Sequence, residues 1–96
     1  MNRKPVGYLL FHKGGFSKPC SLGCDIFVLK RKFRKFKKYY NYDYIADYCD
    51  YARDFLRKNK KYVLLCSTDD CHITTPDGWG IDLNIFRKEG FVEIHI

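Results

Sequence analysis

Asp43-Tyr44-Ile45-Ala46-Asp47-Tyr48-Cys49-Asp50-Tyr51-Ala52-Arg53-Asp54-Phe55-Leu56-Arg57-Lys58 is the stretch that decides the fold class. At roughly 100° per residue, Ile45, Tyr48, Cys49, Ala52, Phe55 and Leu56 fall on one apolar arc. Asp43, Asp47, Asp50 and Asp54 form a stripe on the opposite side. Asn41 or Asp43 suits the N-cap, and Arg53, Arg57 and Lys58 sit near the negative end of the helix dipole. The pattern predicts one main amphipathic helix over about 43–58.

Working outward on the N-terminal side, Lys30-Arg31-Lys32-Phe33-Arg34-Lys35-Phe36-Lys37-Lys38 has seven basic residues in nine. Phe33 and Phe36 are three apart, which places them on one face of a helix but on opposite faces of a strand. The segment therefore reads as a short basic helix. Extending the later wheel backwards moves both rings off its apolar arc, so a break is expected near Asn41 and Tyr42. Residues 6–12 and 25–29 are runs of strand formers, expected to pair antiparallel. The loop between them is rich in Gly, Pro and Ser.

On the C-terminal side, residues 62–68 are apolar enough for a central strand. Asp69-Asp70 turns the chain, residues 71–75 read as a short strand, and Pro76-Asp77-Gly78-Trp79-Gly80 as a turn. Ile81, Leu83 and Ile85 alternate with Asp82, Asn84 and Phe86. Arg87-Lys88-Glu89-Gly90 then reads as a hairpin loop before a last strand over 91–96. The expectation is a single α+β domain over 1–96. It has a small antiparallel or mixed sheet of about five strands, in the order ββ-α(α)-β(β)ββ.

Composition bounds the rest. The 96 residues are 46% apolar and 18% aromatic, which argues for a packed core built largely from rings. The longest apolar runs are too short to span a bilayer. The N-terminus lacks the apolar region of a signal peptide, and five cysteines, an odd number, fit a reducing compartment. A cytoplasmic location is the expectation. Net charge is +7, but residues 1–42 carry eleven Lys/Arg against the single acid Asp25, a net of +10, and residues 43–96 carry −3. Such asymmetry bears on partners.

The 30–38 run is the leading candidate site. Cations neutralise phosphates and rings stack on bases, so Lys30, Arg31, Lys32, Arg34, Lys35, Lys37 and Lys38, with Tyr39 and Tyr40 as stacking rings, predict binding to nucleic acid or nucleotide phosphates. The competing expectation is a protein-binding inhibitor or adaptor, such as a virus- or phage-encoded accessory protein acting on a host nuclease or defence factor. For that role Asp43, Asp47, Asp50, Asp54 and Trp79 are the partner-binding candidates. Surfaces of opposite sign would also suit pairing into a homo-oligomer.

A third reading is a zinc site from Cys20, Cys24, Cys66 and Cys71, although neither pair has the spacing of a zinc knuckle. Otherwise no cofactor is expected. No G-x-S-x-G, H-E-x-x-H, Walker-type or G-x-G-x-x-G sequence occurs, and no catalytic residue is assigned. A Cys with His12 or His72 would make a nucleophile–base pair only if the fold joined them. Gly14-Gly15, between Lys13 and Lys18, would suit a small anion nest.

Overall fold

A computed structural model of the chain describes residues 4–13, 22–38, 50–69 and 81–96. Strand β1 (Gly7–Lys13) is followed by β2 (Leu22–Leu29), a 3-10 turn (Lys30–Lys32) and helix α1 (Phe33–Lys37). Helix α2 (Asp50–Lys58), strand β3 (Tyr62–Asp69), helix α3 (Leu83–Lys88) and strand β4 (Val92–His95) complete the described elements. The strands form one mixed sheet in the order β3-β2-β1-β4. β1–β2 is antiparallel, as expected, β2–β3 is antiparallel too, and β4 runs parallel to β1.

The continuous apolar runs of β1 and β2 follow from coverage on both sheet faces. Leu9, Phe11, Cys24, Ile26 and Val28 point to one face, where Phe36 of α1, Leu83 and Phe86 of α3, and Phe91 pack on them. Leu10, Phe27, Leu29 and Tyr62 point to the other, under Ala52, Phe55 and Leu56 of α2. The same arc of Ala52, Phe55 and Leu56 marked the helix in the sequence. A bulge in the β2–β3 register, at Ile26/Phe27, sets Cys66 opposite Ile26 but Leu64 opposite Phe27. The extra residue, Leu65, shares a core face with its neighbour Cys66, which strict alternation forbids. Gly7 is required by close approach: a Cβ there would collide with the Phe91 ring and the Phe27 carbonyl.

The strand over 62–68, expected to be central, is the edge strand β3 of the described sheet, and two further expectations are overturned. The expected terminal hairpin is absent: residues 83–88 form a helix, and the last strand pairs parallel to β1. Leu83 and Phe86 are three apart and both fully buried on one face, a helical spacing that competes with the alternation of Ile81, Leu83 and Ile85. The ends decide between them. Asp82 caps the helix by accepting from the Asn84 N–H at 3.0 Å. Gly90, at φ +92°, ends it by a Schellman arrangement. Its N–H reaches the Arg87 carbonyl and the Phe91 N–H the Phe86 carbonyl, both at 3.1 Å, while the Phe86 and Phe91 rings meet at 5.1 Å. The second correction follows from the first. The described sheet has four strands rather than about five, and the described order is ββ-α-α-β-α-β. The short basic helix is present as the 3-10 turn plus α1. Residues 43–49 of the expected main helix, the expected break at 41–42, the strand at 71–75 and the turn at 76–80 lie outside the described residues.

Candidate nucleic-acid interface

The registers bring three strand ends together. β1 begins where β2 ends and β3 begins, since Gly7 faces Val28, and Leu29 faces Tyr62. Just beyond these ends the backbone is tied across. Leu29 N–H donates to the Val6 carbonyl and Lys30 N–H to the Lys61 carbonyl, each at 3.0 Å. The Tyr62 hydroxyl donates to the Pro5 carbonyl at 2.6 Å. Burial, and then the neighbouring Tyr8, push the Tyr62 phenol up to about 12, so it stays a donor. α2 finishes at the same end: the Asn59 backbone and side-chain amides both donate to the Phe55 carbonyl at 2.9 Å, and Asn59 O accepts from Tyr62 N–H at 3.1 Å.

This frame gathers cations from distant parts of the chain. Lys4, Lys30, Arg31, Lys60 and Lys61, with Leu29, line an open cleft of about 820 Å³. Lys4, Lys60 and Lys61 also line a neighbouring cleft of about 360 Å³, together with Arg57, Lys58, Asn59, Tyr8 and Tyr62. All seven basic side chains are exposed, and among the described residues no carboxylate lines either cleft. Arg57 pairs with Asp54 at 3.3 Å. Among the described residues the other six have no carboxylate within ion-pair distance. Mutual repulsion is eased by the C-terminal end of α2, whose orphan carbonyls carry partial negative charge.

The described side chains of the 30–38 run have different surroundings. Lys30 and Arg31 join the cleft. Lys35 turns to α3, 3.2 Å from Glu89 and 5.3 Å from the Phe36 ring centre. Lys32 and Lys37 are half-buried, and Arg34 and Lys38 are exposed without lining either cleft. Tyr39 and Tyr40 lie outside the described residues. Lys4, Arg57, Lys58, Lys60 and Lys61 were not among the site residues expected from the sequence, where Arg57 and Lys58 figured only at the helix end. Their signal was the run 57–61, basic at four of five positions, next to the strand that follows. On the acidic stripe, Asp50 pairs with Arg53 at 3.7 Å and Asp54 with Arg57. Asp43, Asp47 and Trp79 lie outside the described residues.

The other end of the sheet holds a buried polar cluster that sequence reading missed. Asp25, on β2, accepts from the Ser67 hydroxyl at 2.7 Å through Oδ1 and meets His12 Nε2 at 2.9 Å through Oδ2. His12 and Asp25 are fully buried, and Tyr51 of α2 stacks on the imidazole at 4.5 Å. The contacts tie together three adjacent strands. Ser67 donates to the carboxylate rather than to the imidazole, so this is not the hydrogen-bond order of an activated serine. The available hint was Asp25 itself, the one acid among the first 42 residues, set between apolar strand residues.

Cys24 and Cys66 are buried free thiols on the α1/α3 face of the sheet, opposite the face on which His12 meets Tyr51. The fold thus joins neither thiol to His12. Burial pushes both thiols up, Cys66 to about 12, with the Asp25 charge adding to the effect on Cys24. Cys20, Cys71, His72, Gly14, Gly15 and Lys18 lie outside the described residues, among which no three metal-ligating side chains cluster. No helix among the described residues is long and apolar enough to cross a membrane. The described residues define a small α+β chain whose mixed sheet of four described strands has a strongly basic end. No protein-family model, curated protein or solved structure matches it.

Proposed function

We propose that the protein binds nucleic acid through the basic end of its sheet. The observation that carries this reading is the convergence of cations from residue 4, residues 30–31 and residues 57–61 around two adjoining clefts, with no carboxylate among the described residues that line them. Phosphate chains are the polyanions such a surface fits, because each cation that meets a phosphate releases a condensed counterion. Backbone bonds between the strand ends hold the bases of these side chains in place, so only the side-chain tips need ordering on binding.

The test is equilibrium binding of labelled DNA and RNA between 50 and 200 mM salt. Affinity is expected to fall steeply with salt. Absence of binding at the low end would refute the reading. An acidic protein would suit the same charge, so a pull-down with and without nuclease treatment separates the two. Capture of one stoichiometric protein that survives nuclease favours an adaptor or inhibitor, and capture of nucleic acid alone favours the proposal.

A further inference from the structure

We infer that the smaller cleft receives an unstacked base, making the ligand single-stranded; this rests on the nucleic-acid reading above. The two clefts differ in lining. Among the described residues that line the larger cleft, all but Leu29 are basic. The smaller, about 360 Å³, adds Tyr8, Tyr62 and Asn59 to its cations, and its size falls in the range of small-molecule pockets. Lys4, Lys60 and Lys61 line both, so a backbone tracking those three lysines would pass directly beside the aromatic cleft. A duplex offers such a surface phosphates only, because its bases are paired and stacked. A single strand can turn a base out onto a ring.

Tyr8 is the ring suited to receive it. It is half-buried, and its neighbours Phe55 and Tyr62 meet it at 5.2 and 5.1 Å with interplanar angles of 67° and 61°. Those edge contacts fix the ring, and neither neighbour lies parallel on it. Tyr62 is nearly fully buried and its hydroxyl is committed to Pro5, which makes it the floor of the cleft rather than the platform. A fixed ring costs little entropy on stacking, and stacking tolerates any base.

The experiment compares four probes on the wild-type chain at one low salt concentration: an oligothymidine, an abasic strand of equal length, a duplex with the same number of phosphates, and inorganic polyphosphate. The oligothymidine is expected to bind several-fold tighter than the abasic strand or the duplex. Tyr8→Leu is expected to weaken oligothymidine binding by about 5- to 100-fold and to leave polyphosphate unchanged, while Tyr8→Phe retains binding. Equal affinity for the thymidine and abasic strands overturns the inference, and needs no variant to fold. A duplex bound as tightly as the single strand overturns it too, with the nucleic-acid reading intact. Failure of every nucleic-acid probe to bind overturns that reading itself.

Discussion

Replacing Lys60 and Lys61 together by alanine tests the interface most directly. Both side chains are exposed and line both clefts, whereas the contact that Lys61 gives the fold is its backbone carbonyl, held by Lys30 N–H. The double variant therefore removes charge and keeps the frame. With Arg57 held by Asp54, six cations remain to meet phosphates. Each contact to a single strand contributes about 0.7 to the slope of log affinity against log salt, so the wild type is expected near −4. Between 50 and 200 mM salt that slope costs about 300-fold in affinity. The variant keeps four of the six and is expected near −3, losing about 50-fold over the same interval. At 0.1 M salt the two curves lie about 25-fold apart, roughly 2 kcal/mol, and they converge toward 1 M. Lys13→Ala is the control. Lys13 is exposed and lies at the opposite end of β1, about 20 Å along the strand. Fluorescence anisotropy over a salt series reads both slopes. An unchanged slope in the double variant, or an equal loss on Lys13→Ala, would show that the clefts are not where phosphate binds.

The other predictions concern the frame. Asp25→Ala leaves buried His12 and half-buried Ser67 without their carboxylate, so chemical denaturation is expected to show a loss of about 3 kcal/mol or more, with binding retained under folding conditions; a loss below about 1 kcal/mol would mean the cluster is not structural. Gly7→Ala forces a methyl against the Phe91 ring and the Phe27 carbonyl, an overpacking expected to cost about 1–3 kcal/mol in the same assay, and a neutral result would contradict the close approach of β1 to both. The pH dependence has a definite sign. Burial holds Cys24 and Cys66 above the ordinary thiol value of 9.0, so protons are held in the folded state that the unfolded chain releases; stability is full below pH 9 and falls as pH rises, by about 2–3 kcal/mol by pH 10. Tyr62 adds to the fall above pH 10, and replacing both cysteines by alanine should flatten the part between pH 9 and 10 in urea titrations; an unaltered profile would rule the thiols out.

How much of this was legible in the sequence depended on how local each signal was. The α2 arc of Ala52, Phe55 and Leu56 and the α1 pair Phe33 and Phe36 were readable because helical periodicity is local and each face meets one partner layer. α3 was misread because six residues hold fewer than two helical turns. Over that length Leu83 and Phe86 and the alternating Ile81, Leu83 and Ile85 fit both periods. The deciding terms were the Asp82 cap and the Gly90 turn, and the hairpin reading had spent Gly90 on its own loop. The parallel pairing of β4 follows from α3 and was lost with it. For the site, the run at 30–38 was visible as composition, but composition does not divide it. Phe36 must bury, so its neighbours fan outward from it, and only Lys30 and Arg31, which precede α1, stay at the strand ends. Lys4 and Lys60 are near each other only because β1 and β3 both start beside the end of β2, a fact of topology that no local pattern contains.

That topology bears on why the charge is there at all. Elsewhere several described surface charges are paired: Lys35 meets Glu89, Arg87 meets Glu93 at 2.9 Å, and Arg53 meets Asp50. Exposed pairs of this kind contribute little to stability, so their presence costs the sequence nothing and their absence needs no structural reason on its own. A cluster is different. Cations at adjoining positions repel one another, and a single glutamate among Lys58, Lys60 and Lys61 would relieve the strain while leaving every backbone bond of the frame in place. The buried apolar layers do not require lysine at any of these exposed positions. Solubility alone would be met by the same charges spread over the surface. What their concentration adds is a field focused on two clefts, and only a ligand carrying many negative charges draws free energy from it. On the proposed nucleic-acid reading, the concentrated charge would meet phosphates, and the tyrosines lining the smaller cleft would offer a base a ring to stack on.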